Sequence, residues 1–148
     1  LEFRRVLFRS KNNRSLRRSF LQTVFGKQFL EKEEEKVLDD SNYTFINQVK
    51  EFILKNIDKE NLTIDEIASE LYMSRTAFFN KWKALTGEAP KYFIYRIRME
   101  KARELLESGK YSVQVIPEMI GLKNLKNFRH KYKEYFGITP SKSITKKL

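Results

Sequence analysis

Five side chains between residues 62 and 87 could do chemistry together: Arg75, Thr76, Phe79, Asn80 and Lys83. Their spacing gathers them on one side of a helix. Two cations, a hydroxyl, an amide and an aromatic ring suit non-covalent binding of a polyanion better than bond breaking. The opposite side carries Phe78, Trp82 and Leu85, an inward-facing apolar stripe.

The elements that must position them are legible on either side. Thr63 with Glu66 forms a capping box, so a helix is expected from Ile64, with Ile64, Ile67, Ala68 and Leu71 on its apolar face. Ser74 offers the cap of a second helix that stops at Gly87. A short helix, a tight turn and a second helix with an exposed polar-basic face make the helix-turn-helix pattern. An ordinary αα-hairpin inside a helical core is the alternative.

Composition excludes several other chemistries. The 148 residues hold no cysteine and one histidine, so disulfides and thiolate metal sites are out and a His-based cluster is not expected. There is no glycine-rich phosphate loop, no nucleophile–histidine–acid set and no paired carboxylates in an apolar cleft. Neither an enzyme nor a cofactor is expected. Five glycines and three prolines among many Lys, Glu, Leu and Ile predict an all-α protein. No apolar run nears the ~20 residues needed to cross a bilayer, and nothing resembles a secretory signal, so a cytoplasmic protein without a membrane partner is expected. Membrane binding by residues 12–30 is a minor alternative. The net charge of +11 is one-sided: residues 1–71 balance 13 Lys+Arg with 13 Asp+Glu, whereas residues 72–148 set 17 against 6. Such asymmetry points to nucleic acid or another polyanion.

Residues 1–10 show no clean period and are set aside from the fold. Residues 12–30 repeat Leu16, Phe20, Leu21, Val24 and Phe25 at helical spacing, an apolar face that needs a cover, such as an upstream domain. Residues 31–36 are a charge run read as a solvated linker or helix face. Asp39, Asp40 or Ser41 can cap a scaffold helix bearing Phe45, Ile46, Val49, Phe52, Ile53 and Ile57. Pro90 suits the first turn of a long helix ending at Ser108-Gly109, about 27 Å in length. On that helix Arg96, Arg98, Lys101 and Arg103 read as salt-bridge partners. Ser112 is expected to cap a short helix with Val113, Ile116, Met119 and Ile120. Asn124 then caps Leu125–Phe136, Gly137 closes it, and Thr139-Pro140 begins a last helix ahead of a frayed Lys146-Lys147-Leu148.

The chain also repeats itself. Phe78, Lys81, Trp82, Lys83, Gly87 and Pro90 recur 50 residues on as Phe128, Lys131, Tyr132, Lys133, Gly137 and Pro140. Upstream the offset is 49, pairing Ile67 with Ile116 and Leu71 with Ile120, so the second turn holds one extra residue. Two such units joined by a long helix read as a duplicated helix-turn-helix. The domain plan is an extension (1–40), a first helix-turn-helix subdomain (41–88), a linker helix (90–108) and a second subdomain (111–148).

Residues 62–90 (L-T-I-D-E-I-A-S-E-L-Y-M-S-R-T-A-F-F-N-K-W-K-A-L-T-G-E-A-P), then Y-R-I-R-M-E-K-A-R-E-L-L, I-P-E-M-I-G-L and N-F-R-H-K-Y-K-E-Y-F-G-I-T-P, resemble the AraC/XylS transcription regulators over about residues 43–145. The resemblance implies seven helices in two subdomains bridged by one long helix. It departs at Pro117, where the family usually has Ala, and at Leu122 in place of Phe. Mid-helix proline costs about 3 kcal/mol, so that helix is expected to kink or start late. Residues 12–60 also resemble the region after the receiver module in response regulators and hybrid two-component regulators. The chain therefore reads as a C-terminal fragment of a two-component-type regulator.

The resemblance further implies double-stranded DNA as partner, with the second helix of each unit in successive major grooves about 34 Å apart. Arg75, Thr76, Phe79 and Asn80 would face bases in the first unit, and Lys126, Arg129 and His130 in the second. Asn80 would pair with adenine, Arg129 with guanine, and Phe79 would pack on a thymine methyl. Ser74, Lys83 and Lys133, with the helix N-termini, would hold phosphates. RNA polymerase is a further expected partner, and a homodimer through an upstream region is open. Phe79 has a core alternative, and His130, Lys83 and Lys133 have solvated ones. A nonspecific DNA-coating or protein-interaction module is the competing function.

Overall fold

The computed structural model describes residues 14–26 and 38–145. Residues 1–10, the charge run 31–36 and Lys146-Lys147-Leu148 lie outside the described residues. Among the described residues there are eight helices and no strand: α1 Arg14–Phe25, α2 Asp40–Lys55, α3 Ile64–Glu70, α4 Arg75–Thr86, α5 Pro90–Glu107, α6 Ile116–Met119, α7 Leu125–Phe136 and α8 Pro140–Thr145. The architecture is all-α, with two helix-turn-helix subdomains joined by the long helix α5. The backbone divides into two compact units, one comprising residues 14–26, 38–52 and 64–93, the other residues 53–63 and 94–145.

The first unit is built on aromatic packing. Phe78, Trp82 and Phe93 are fully buried, and Phe45 nearly so. Trp82 lies 4.8 Å from Phe93 and 6.0 Å from Phe78, ring centre to ring centre. Truncating a buried tryptophan to alanine costs about 3–5 kcal/mol, so this ring dominates the unit. The scaffold helix α2 begins where Asp39 accepts bonds from the backbone N–H of Ser41 (3.0 Å) and Asn42 (3.3 Å). It buries Phe45, Ile46, Val49 and Ile53, as its 3.6-residue period demands.

Helix α1 corrects one expectation: the chain itself covers its apolar face. Phe20 meets Tyr43 edge-on at 6.2 Å, and Phe25 stacks on Phe93 at 5.3 Å. Buried Arg17 pairs with the Asp40 carboxylate and donates to the Leu38 carbonyl at 3.1 Å, which ties α1 to the start of α2.

In the second unit, Met99, Ala102, Leu106, Ile116, Ile120, Phe128 and Tyr132 are fully buried. The Tyr132 hydroxyl shares a hydrogen bond with Ser143, and the Tyr95 hydroxyl donates to the Lys131 carbonyl at 3.1 Å. Helix α6 corrects a second expectation. Ser112 does not cap it; the helix starts at Ile116, with Pro117 in its first turn. Proline has no N–H to give the carbonyl four residues back, so residues 112–115 form a turn instead. Of the two outcomes expected of Pro117, the late start is the one observed. Helix α5 also departs in part from its reading. Lys101 pairs with Glu104 (3.1 Å) and Arg103 with Glu100 (2.6 Å), but Arg98 donates to the backbone carbonyl of Lys59 at 2.8 Å.

Candidate nucleic-acid interface

Helix α4 is framed at both ends by local chemistry. The Ser74 hydroxyl accepts from the Ala77 N–H at 3.1 Å, and Gly87 closes the helix at φ 78° with its N–H on the Lys83 carbonyl. With Phe78, Trp82 and Leu85 committed inward, the period leaves Ser74, Arg75, Thr76, Asn80 and Lys83 exposed. Phe79 is half-buried, between the two readings given to it. Lys81 also belongs to α4 but sits 4.3 Å over the Phe45 ring, away from that group's role.

Helix α7 is built the same way. Asn124 accepts from the Asn127 N–H at 2.9 Å, and Gly137 ends the helix at φ 77°. Phe128 and Tyr132 are buried; Lys126, Arg129, His130 and Lys133 are exposed. Each of the nine polar residues read as a site residue therefore lies on solvent-facing surface of its own unit. The two faces differ in chemistry at matched positions. Thr76, Phe79 and Asn80 stand in α4 where Lys126, Arg129 and His130 stand in α7. At these three positions α7 carries two cations where α4 carries none, while Arg75 on α4 and Glu134 on α7 leave the two helices with the same net charge.

Two contacts on these faces go beyond the site residues named from the sequence. Arg75 donates to the Asp65 carboxylate at 3.2 Å, across the turn from α3, with 61% and 65% of the two side chains exposed. His130 lies 3.6 Å from Glu134, one turn along α7. The second follows from i, i+4 spacing. The first needs the angle between α3 and α4, which spacing alone does not supply. Tyr72, 98% exposed with φ 56°, was likewise not singled out. Among the described residues, no group of His, Cys, Asp or Glu could hold a metal ion, and no helix is long and apolar enough to cross a membrane.

A family model described as a helix-turn-helix domain matches residues 67–145. A histidine kinase of Formosa agariphila is 37% identical over 86 residues, covering 58% of this chain and 6% of the kinase. The C-terminal domain of AraT, a response regulator from Geobacillus stearothermophilus, superposes with a TM-score of 0.61 at 25% identity, covering 69% of this chain and 84% of that one. The DNA-binding domain of AdpA, a global transcriptional factor crystallised in complex with a target DNA, gives a TM-score of 0.57 at 26% identity over 68% and 89% of the two chains. The chain spans at most 38% of the length of the curated relatives it matches. It belongs to the AraC/XylS-type helix-turn-helix family of DNA-binding transcription regulators.

Proposed function

We propose that this chain binds double-stranded DNA sequence-specifically, with α4 and α7 in adjacent major grooves, and serves as the output domain of a two-component-type regulator. One observation carries the reading. Two capped helices of 12 residues each bury an aromatic pair and turn matched polar positions outward. In α4, Arg75, Thr76, Phe79 and Asn80 face bases, Asn80 bonding adenine through its amide and Phe79 packing on a thymine methyl. In α7, Lys126, Arg129 and His130 do so, Arg129 bidentate to guanine. Ser74, Lys83 and Lys133 hold phosphates and set register. The response-regulator domain of similar fold and the histidine kinase of similar sequence support the two-component placement. On this reading the protein works in the cytoplasm, RNA polymerase is the downstream partner, and a region upstream of this domain supplies any dimer contact.

The test is selection of bound duplexes from a random pool, followed by binding of Asn80→Ala and Lys83→Ala to the selected site. Asn80→Ala relaxes preference at one position; Lys83→Ala weakens every sequence alike and lowers the salt slope by about 1. A pool that yields no motif would instead favour a nonspecific DNA-coating module.

A further inference from the structure

The second helix-turn-helix turn is held by parts of the chain that lie outside its own hairpin. A side-chain carbon added at Gly121 would stand 2.5 Å from the Ile57 carbonyl oxygen, 3.0 Å from Arg98 Nη2 and 3.1 Å from the Lys59 carbonyl oxygen. Arg98 Nη2 also donates to that Lys59 carbonyl at 2.8 Å. Beside them Lys123 pairs with Glu60 at 3.0 Å. Lys123 falls within the second turn, which is one residue longer than the first. Every one of these groups lies in the second compact unit, although residues 57–60 connect α2 to α3 in sequence. The matching position in the first unit, Tyr72, is 98% exposed, so that turn carries no such cover.

We propose that Arg98 is a positioning residue for α7: it pins the 57–60 segment over Gly121 and thereby fixes the direction in which Lys126, Arg129 and His130 project. An arginine suits the task because its planar, pre-organised fork stays charged and loses less side-chain entropy per hydrogen bond than a lysine does. The Arg98 Nε is buried without a hydrogen-bond partner among the described residues, so the side chain is held by Nη2 and by packing. Without it, the Lys59 carbonyl loses the Arg98 donor and the segment loses that clamp against the glycine. The cap Asn124 lies three residues beyond Gly121, so a shift of the turn passes directly into the start of α7. Base recognition tolerates displacements well under about 1 Å, so a small shift is enough to blur it.

The inference rests on the reading of α7 as a base-reading helix, and the experiment separates the two. Wild type, Arg98→Ala and Arg98→Lys forms of the 148-residue chain are put through the same random-duplex selection, and their backbone amide exchange is measured in parallel. Arg98→Ala is expected to lose about tenfold discrimination in the half-site assigned to α7 while the α4 half-site stays within about twofold. The amides of Gly121 and Leu122 exchange faster in it, and Arg98→Lys recovers part of both effects because lysine can still donate to the Lys59 carbonyl. Unchanged amide exchange at the turn overturns the proposal. So does an equal loss across both half-sites, which marks Arg98 as a phosphate contact or as general scaffolding. A wild-type chain that selects only one half-site removes the reading of α7, and the amide exchange of Arg98→Ala then still decides whether Arg98 holds the turn.

Discussion

The two helix-turn-helix units use one hydrogen-bond scheme with opposite residue choices at its most demanding position. In the first turn, Leu71 N–H reaches the carbonyls of Ile67 and Ala68, Tyr72 that of Ser69, and Met73 that of Ala68. In the second, Ile120 reaches Ile116 and Pro117, Gly121 reaches Glu118, and Leu122 reaches Pro117. The second residue past the helix is left-handed in both, Tyr72 at φ 56° in one and Gly121 at φ 80° in the other. A left-handed non-glycine residue costs roughly 1–2 kcal/mol. The first turn tolerates that cost because its tyrosine projects into open solvent. The second cannot, because carbonyl oxygens occupy the space a side chain would need. The same backbone turn is thus a surface feature in one unit and a packed joint in the other.

Substitutions at the two turns sharpen that contrast. Gly121→Ala should destabilise by about 3 kcal/mol in urea titration, since strain and a clash with backbone coincide there. A cost below about 1 kcal/mol would mean that the joint yields. On DNA, Arg129→Ala should lose about 2 kcal/mol of discrimination at one base pair and Asn80→Ala a similar amount at a different one, read from competition binding with single-base variants. Loss at the same base pair would break the assignment of one helix to each half-site. The caps are equivalent by geometry, so Ser74→Ala and Asn124→Ala should each cost about 1 kcal/mol in thermal melts. Tyr72→Gly should have the smallest effect, a gain of about 0.5 kcal/mol, because relief of the left-handed strain is partly offset by the flexibility of glycine in the unfolded chain.

What the sequence disclosed divides by distance along the chain. Ser74 and Asn124 as caps, Gly87 and Gly137 as stops, and Pro140 opening α8 were all readable, because each signal acts over about four residues. The exposure of Asn80, Lys83, Arg129 and Lys133 followed equally simply, since fixing Phe78, Trp82, Phe128 and Tyr132 inward dictates the other face. Pro117 announced trouble, but only the structure shows that the helix begins late. The cover over α1, the Arg75–Asp65 pair and the seating of residues 57–60 on Gly121 join residues from 10 to more than 60 positions apart. No periodicity encodes such pairings; they follow from how helices cross.

The extra residue between α6 and α7 has a consequence for how such a duplicated motif can diverge. Gained inside a helix, one residue would swing everything after it by about 100° and bring Phe128 and Tyr132 out into water. Gained in the turn, it leaves both rings in place and adds only a lysine at the edge. Copies of this motif are therefore free to drift in length at the elbow while their helices stay locked in phase, and insertions should accumulate there first.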